Sequence, residues 1–250
     1  MQAMSAARIQ LCGMLAVEIE GRRCEPELPG KQGRLLFTYL VVNRARPVGR
    51  LELVDVLWSD EPPPTAETTL TGVLSRLRHV IGEEVLQGRE QLRLVLPAGS
   101  RVDLELAFRA IHQAESAVAG GDWSQAWLSG RAALHVSRRE FAAGHEAPWI
   151  EERRRALSAV HASALECIGE AGLGLGGTEI ATAERCGQAL VTREPYRESG
   201  YRLLMRALEA RGNIAAALAV YEQLRCLLRD ELGAVPGTAT QALHRELLAI

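Results

Sequence analysis

Two stretches of the chain, Ile180-x-x-Ala183-x-x-x-Gly187 and Ile214-x-x-Ala217-x-x-x-Tyr221, set one pattern down twice, thirty-four residues apart. That is the period at which helical hairpins stack into a tetratricopeptide-like array, because a single helix pair cannot bury its apolar face without a like pair beside it. Small residues at the repeated positions let the paired backbones approach closely. A third copy, Gly121-x-Trp123-x-x-Ala126-x-x-x-Gly130, lies at a different spacing, so a longer helical insertion is expected between it and the others. From about Asp103 onward successive amphipathic helices are expected and no strand signal is present, which predicts an all-α repeat domain over residues 101–250, a platform whose concave side suits proteins or peptides.

The first hundred residues follow other periods. Residues 8–24 alternate apolar and polar side chains, as in Leu15-Ala-Val-Glu-Ile19, with Gly13 and Gly21 as punctuation, so short antiparallel strands are expected. Leu35, Leu36, Tyr39 and Leu40 fit a helix that ends before Pro47, and Pro47-Val48 allows a brief extended link. Arg50–Trp58 forms a second short helix, stopped by Pro62-Pro-Pro64. A third helix covers Thr68–Ile81, and Val85–Leu96 reads as two strands around a turn at Gly88–Glu90. Three helices followed by a hairpin make an α+β winged helix-turn-helix, expected over residues 1–100, in which the third helix enters the major groove and the hairpin lies along the backbone.

The outward face of that third helix gives the topology a chemical meaning. At 100° per residue, Leu70, Val73, Leu74, Leu77, Val80 and Ile81 form one apolar stripe. Thr71, Gly72, Ser75 and His79 then point outward, Thr68 stands behind them at the helix start, and Arg76 and Arg78 flank the strip. Short hydroxyls permit close approach to base edges, and arginines at the margins reach phosphate or guanine. We therefore take Thr68, Thr71, Ser75 and His79 as base-edge candidates and Arg76 and Arg78 as phosphate or guanine candidates. Arg93 in the hairpin, with Lys31 and Arg50 near helix N-termini, completes the set as backbone contacts. An ordinary solvated face is the competing reading of such a strip.

Overall charge gives no global nucleic-acid signature and counts against this reading without excluding it. The formal net charge is −2, and residues 1–105 hold 13 Lys/Arg against 14 Asp/Glu, so DNA binding would have to come from a local patch. Aromatic residues make up only 4% of the chain, leaving a core of Leu, Ala and Val. The five cysteines are widely spaced with no metal-ligand pattern, which predicts buried thiols in a reducing compartment and no metal site. The N-terminal MQAMSAARIQ contains no signal-type apolar run, and no stretch is long enough to cross a membrane, so a cytoplasmic protein is expected. Gly172-Leu-Gly-Leu-Gly-Gly177 satisfies GxGxxG but follows a helix rather than a strand, and reads as a helix-terminating loop. With the six histidines scattered and no nucleophile constellation, neither catalytic residues nor a cofactor are expected.

Several segments in combination resemble the SARP-type bacterial transcriptional activators, which join an OmpR-like winged helix to a tetratricopeptide-like bacterial transcriptional activation domain. The carriers are Gly30-Lys-Gln-x-Arg34, Asn43-Arg-x-Arg-Pro-Val48, Leu53-Val-Asp-Val-Leu-Trp58 with Pro62-Pro63, and Thr69-Leu-x-Gly-Val-Leu-Ser-Arg-Leu-Arg78. Further along come Pro148-Trp149, Ala216-Ala-Leu-Ala-Val-Tyr221, Asp230-Glu-Leu-Gly233 and Pro236-Gly237. The resemblance spans nearly all of residues 8–249. It implies binding of double-stranded DNA at promoter direct repeats, assembly of two protomers on that DNA, and recruitment of RNA polymerase holoenzyme, often to biosynthetic genes. Two departures stand out: Gln91-Leu-Arg-Leu94 lacks the aromatic residue common in the wing, and Glu52 stands where a basic residue is frequent. With the sequence ending at Ile250, the ATPase or phosphopeptide-binding extensions of longer relatives are expected to be absent. The alternative expectation is a helical-repeat interaction module whose winged helix no longer binds DNA.

Overall fold

In the computed structural model, which describes residues 6–58 and 61–249, the chain is mainly helical with a small N-terminal region of sheet. The first five residues of the MQAMSAARIQ segment lie outside the described residues. The chain divides into two compact units, one formed by the residues up to Leu106 with Arg139–Ala156, the other by Ala107–Arg138 with Leu157–Ile250.

In the first unit, strands β1 (Arg8–Gln10), β2 (Ala16–Ile19) and β3 (Arg22–Arg23) form the antiparallel meander that the alternation predicts. Three helices follow: α1 (Gly30–Val42), then α2 (Arg50–Trp58) after the two-residue strand β4 (Val48–Gly49), then α3 (Ala66–Ile81). The hairpin β5 (Leu86–Gln87) and β6 (Gln91–Leu94) turns at Gly88, whose φ of 83° suits a residue without Cβ. A side chain there would drive a Cβ to 1.9 Å from the Gln91 carbonyl oxygen. Val48 of β4 pairs with Leu92, which ties the link before α2 to the hairpin. Leu36 and Leu40 of α1, Leu53 of α2 and Leu70, Leu74 and Leu77 of α3 form the core with Leu86 and Leu92. Each such burial stabilises the unit by roughly 1.5 to 3 kcal/mol.

Two features of this unit carry no local sequence signal. Strand β7 (Arg101–Val102) pairs parallel to β1 and closes a four-stranded sheet of order β3-β2-β1-β7. Residues 139–147 return to the sheet: Cys12 bridges Phe141, Gly13 N–H donates to the Glu140 carbonyl at 2.7 Å, and Ala142 N–H donates to the Leu11 carbonyl at 2.9 Å. Asp103, at the start of α4 (Asp103–Gly120), accepts from the N–H groups of Leu11, Cys12 and Leu104 at 2.8, 3.0 and 2.8 Å. Its burial raises the carboxyl pKa, and those N–H groups oppose the rise.

In the second unit, α5 (Trp123–Ser137) starts at Asp122, whose side chain accepts from Gln125 N–H as an N-cap. Then come α6 (Pro148–Leu175), of which this unit holds the part from Leu157 on, α7 (Ile180–Arg193), α8 (Glu198–Ala210), α9 (Ile214–Leu232) and α10 (Thr238–Leu248). The repeated small residues sit where helices touch. A Cβ on Gly187 would come within 2.9 Å of the Leu204 backbone, one on Gly130 within 2.8 Å of Ile168, and Ala183 and Ala217 are fully buried. Tyr201, Leu204, Met205, Leu224 and Leu228 belong to one core cluster, and Tyr221 stacks on His244 at 3.7 Å between ring centroids. The glycine-rich stretch is structural: Gly172 and Gly174 lie inside α6, Gly174 packed under the Trp123 ring, and Gly176 and Gly177 take the left-handed backbone that ends the helix. Among the described residues, no helix is long and apolar enough to cross a membrane.

Candidate nucleic-acid interface

Helix α3 is held on three sides. Its apolar stripe, Leu70, Val73, Leu74, Leu77, Val80 and Ile81, is buried along the helix. Its last carbonyls are met by Gly82 N–H, which bonds Arg78 O, and by the Arg22 guanidinium of β3, which bonds the Val80 carbonyl. Such partners satisfy the orphan acceptors of a helix end. Its first turn carries Glu67, an acid placed where the helix dipole favours it.

The opposite face is exposed at Thr68, Thr71, Gly72, Ser75, Arg76 and His79. A Cβ placed on Gly72 would meet nothing within 4 Å, so this face is open at its centre. One turn further, Ser75, Arg78 and His79 line a shallow hollow of about 450 Å³ together with Glu83. The structure thus brings five of the nine candidates, Thr68, Thr71, Ser75, Arg76 and His79, onto one accessible strip, with Arg78 at its edge.

The remaining side chains differ in how they are engaged. Arg78 is half-buried; its Nε donates to the Leu86 carbonyl at 3.3 Å and its Nη2 to the Gly88 carbonyl, so it anchors the hairpin to α3. Among the described residues Arg76 donates only to the Gly72 carbonyl of its own helix, at 3.3 Å. Carbonyl partners orient these guanidiniums without neutralising them. Arg50 is neutralised: its Nη2 donates to the Glu67 carboxylate at 2.8 Å and to Thr71 Oγ1 at 2.7 Å, while the Thr71 hydroxyl donates to the Glu67 carbonyl at 2.8 Å. Arg50 and Thr71 therefore form a clamp between α2 and α3. Lys31 and Arg93 are exposed, on α1 and β6, and neither has an acidic partner within ion-pair distance among the described residues.

Glu52, the acid in α2, has a structural explanation. Arg46 holds it through Nη1 at 2.9 Å, and the Tyr39 hydroxyl donates to it at 2.5 Å. Those partners, Arg46 foremost, hold its carboxyl below the usual range. The group that residue-level reasoning missed is Glu83, just past the end of α3, which the chain reversal at Gly82 turns back toward Ser75 and His79.

The class of this protein is set by its helical region, which follows the N-terminal sheet and the bare-faced helix α3. Residues 102–248 match the model of the bacterial transcriptional activator domain, and the chain belongs to that family, in its SARP-type branch. It is 34% identical over 220 residues to the regulatory protein AfsR of Streptomyces coelicolor, a match that covers 87% of this chain and 22% of that protein. It is 29% identical over 252 residues to the transcriptional regulatory protein EmbR of Mycobacterium tuberculosis, covering 95% of this chain and 62% of EmbR. A solved structure of Mycobacterium tuberculosis EmbR in complex with a low affinity phosphopeptide superposes with a TM-score of 0.81 at 27% identity, over 97% of this chain and 65% of that one. The chain thus spans about a fifth of AfsR and under two thirds of EmbR.

Proposed function

We propose that the chain is a sequence-specific DNA-binding transcriptional activator without catalytic activity. Residues 1–100 would act as a winged helix-turn-helix and residues 101–250 as a tetratricopeptide-like activation domain that engages RNA polymerase in the cytoplasm. The observation that carries this reading is the bare strip on α3, where Thr68, Ser75 and His79 stand exposed around Gly72 with the un-neutralised guanidinium of Arg76 beside them. Short polar side chains on an open helix face reach base edges in a major groove about as wide as a helix with its side chains. Arg93 on the hairpin and Lys31 on α1 contribute phosphate contacts that position the helix. Arg78 acts by fixing the hairpin relative to α3 and by presenting its charge at the rim, and Arg50 and Thr71 set the angle between α2 and α3. Membership of the activator-domain family, with relatives named as regulators, supports the transcriptional role. Direct repeats and two protomers on the DNA are the arrangement the SARP resemblance implies.

A second reading is favoured by Glu83 in the hollow and by the Arg50–Glu67 pair, both of which subtract positive charge from the face. On it, the N-terminal unit is an interaction module. Selection of bound sequences from a randomised duplex pool at two salt concentrations separates the two. Enrichment of a direct repeat, with affinity falling steeply as salt rises, supports the activator; a folded protein that enriches no sequence leaves the interaction module.

A further inference from the structure

The hollow at the C-terminal end of α3 holds charges of both signs that do not meet. Ser75, Arg78 and His79 line it from the helix, and Glu83 lines it from the chain just beyond. Gly82, at a φ of 95°, ends the helix and turns the following chain back, which places the Glu83 carboxylate on the rim of the exposed strip. Glu83 is exposed, and among the described residues it has neither an ion-pair nor a hydrogen-bond partner. The other acid of this face, Glu67, is taken by Arg50.

Arg78 is close by but turned away. Its Nε and Nη2 donate to the Leu86 and Gly88 carbonyls, so the hairpin holds the guanidinium and no ion pair with Glu83 closes. Among the described residues its Nη1 has no partner. One hollow, open to solvent, thus presents a fixed donor and an uncommitted acceptor together.

That combination matches one kind of base-pair edge. In the major groove a guanine offers two acceptors, N7 and O6, and its paired cytosine offers the N4 amino donor beside them. Adenine also carries an amino donor, N6, but it stands between two acceptors, its own N7 and the thymine O4, with the thymine methyl beyond. A carboxylate with an arginine to one side therefore fits cytosine paired to guanine. Against phosphates the same carboxylate lowers affinity for every sequence alike.

Resting on the DNA-binding reading of α3, we infer that Glu83 is a specificity-determining residue that selects a C·G pair, its carboxylate accepting from the cytosine N4 amino group while Arg78 Nη1 faces the guanine. The acid that weakens the overall attraction of this face for DNA is then the group that sharpens its choice of sequence.

The test is selection from a randomised duplex pool with the full chain, followed by competition binding of single-base variants of the selected duplex. The natural chain is expected to favour cytosine at one position of the repeat by about tenfold or more, a gap of about 1.4 kcal/mol. Glu83→Ala should flatten that preference to within about twofold and leave the other positions as they were. Glu83→Gln should shift it to adenine, because a carboxamide pairs with adenine N6 and N7. Glu84→Ala, an exposed neighbour outside the hollow, should change neither. A selected sequence whose every positional preference survives Glu83→Ala overturns the inference and leaves DNA binding standing. So does a uniform gain of affinity across all sequences in Glu83→Ala, which would make Glu83 a charge acting on phosphates. A folded natural chain that enriches no sequence sinks the DNA-binding reading itself, and the inference with it.

Discussion

The arginines of the α3 face, Arg76 and Arg78, are spent differently from those that tie the helical unit together. In the helical unit Arg197, Arg206 and Arg211 reach acids on other helices, Glu166, Glu170 and Glu184, and close ion pairs that neutralise them. On the α3 face Arg76 and Arg78 bond backbone carbonyls instead, so their charge is oriented and retained. A formal balance of 13 bases to 14 acids over the first 105 residues therefore conceals a local surplus. Partner identity, more than residue count, decides whether a surface can attract a polyanion.

Four experiments would break or sharpen that contrast, in order of expected effect. Ser75→Glu puts a carboxylate at the centre of the strip and should lower affinity for a selected duplex by about a hundredfold, roughly 2.7 kcal/mol, with chemical-denaturation stability unchanged; retained binding would remove the strip from the interface. Arg78→Ala should cost about 1 to 3 kcal/mol of binding and also speed amide exchange across Leu86–Leu94, because the same side chain anchors the hairpin. Losing affinity without faster exchange would make Arg78 a direct contact only. Arg206→Ala in the helical unit should cost under about 1 kcal/mol of stability, as partly exposed ion pairs do, with DNA affinity unchanged; an equal loss of affinity would erase the contrast between the α3 face and the helical unit. Gly72→Ala should raise stability by up to about 1 kcal/mol through helix propensity, since its Cβ meets nothing, yet weaken duplex binding if DNA approaches the backbone there.

A further expectation concerns pH and involves both units. Burial lowers the pKa of His145, aided by Lys31, Arg34 and Arg154, and that of His161, aided by Arg193. Both groups ionise more readily in the unfolded chain, with its ordinary value near 6.5. Stability should thus be greatest above that value and decline as the pH falls below it, levelling off once the folded-state values are passed. Urea midpoints measured from pH 7.5 down to pH 5 check this, and a combined His145→Gln and His161→Gln variant should show a flatter profile. An unaltered slope would assign the loss to other groups.

Much of this molecule was legible along the chain because its cues are local. Alternation over residues 8–24, the proline stops after Trp58, the apolar stripe of α3 and the glycine at the hairpin turn each act within a few residues, and the elements form where those cues lie. The thirty-four-residue recurrence likewise marks real helix contacts, since close packing at Ala183, Gly187 and Ala217 tolerates only small side chains. Sequence by itself also placed Thr68, Ser75, Arg76 and His79 on one face, because helical geometry leaves no other choice.

Tertiary structure decided the rest. Which arginine meets a carboxylate and which a carbonyl depends on residues far apart in the chain, as with Arg50 and Glu67 or Arg78 and Gly88. The parallel pairing of β7 with β1, and the return of residues 139–147 to Cys12, join segments separated by some ninety to one hundred and thirty positions. No periodicity encodes such pairings. They arise because backbone groups left open at Leu11, Cys12 and Gly13 must find donors and acceptors on folding, and only the assembled core determines which distant segment supplies them.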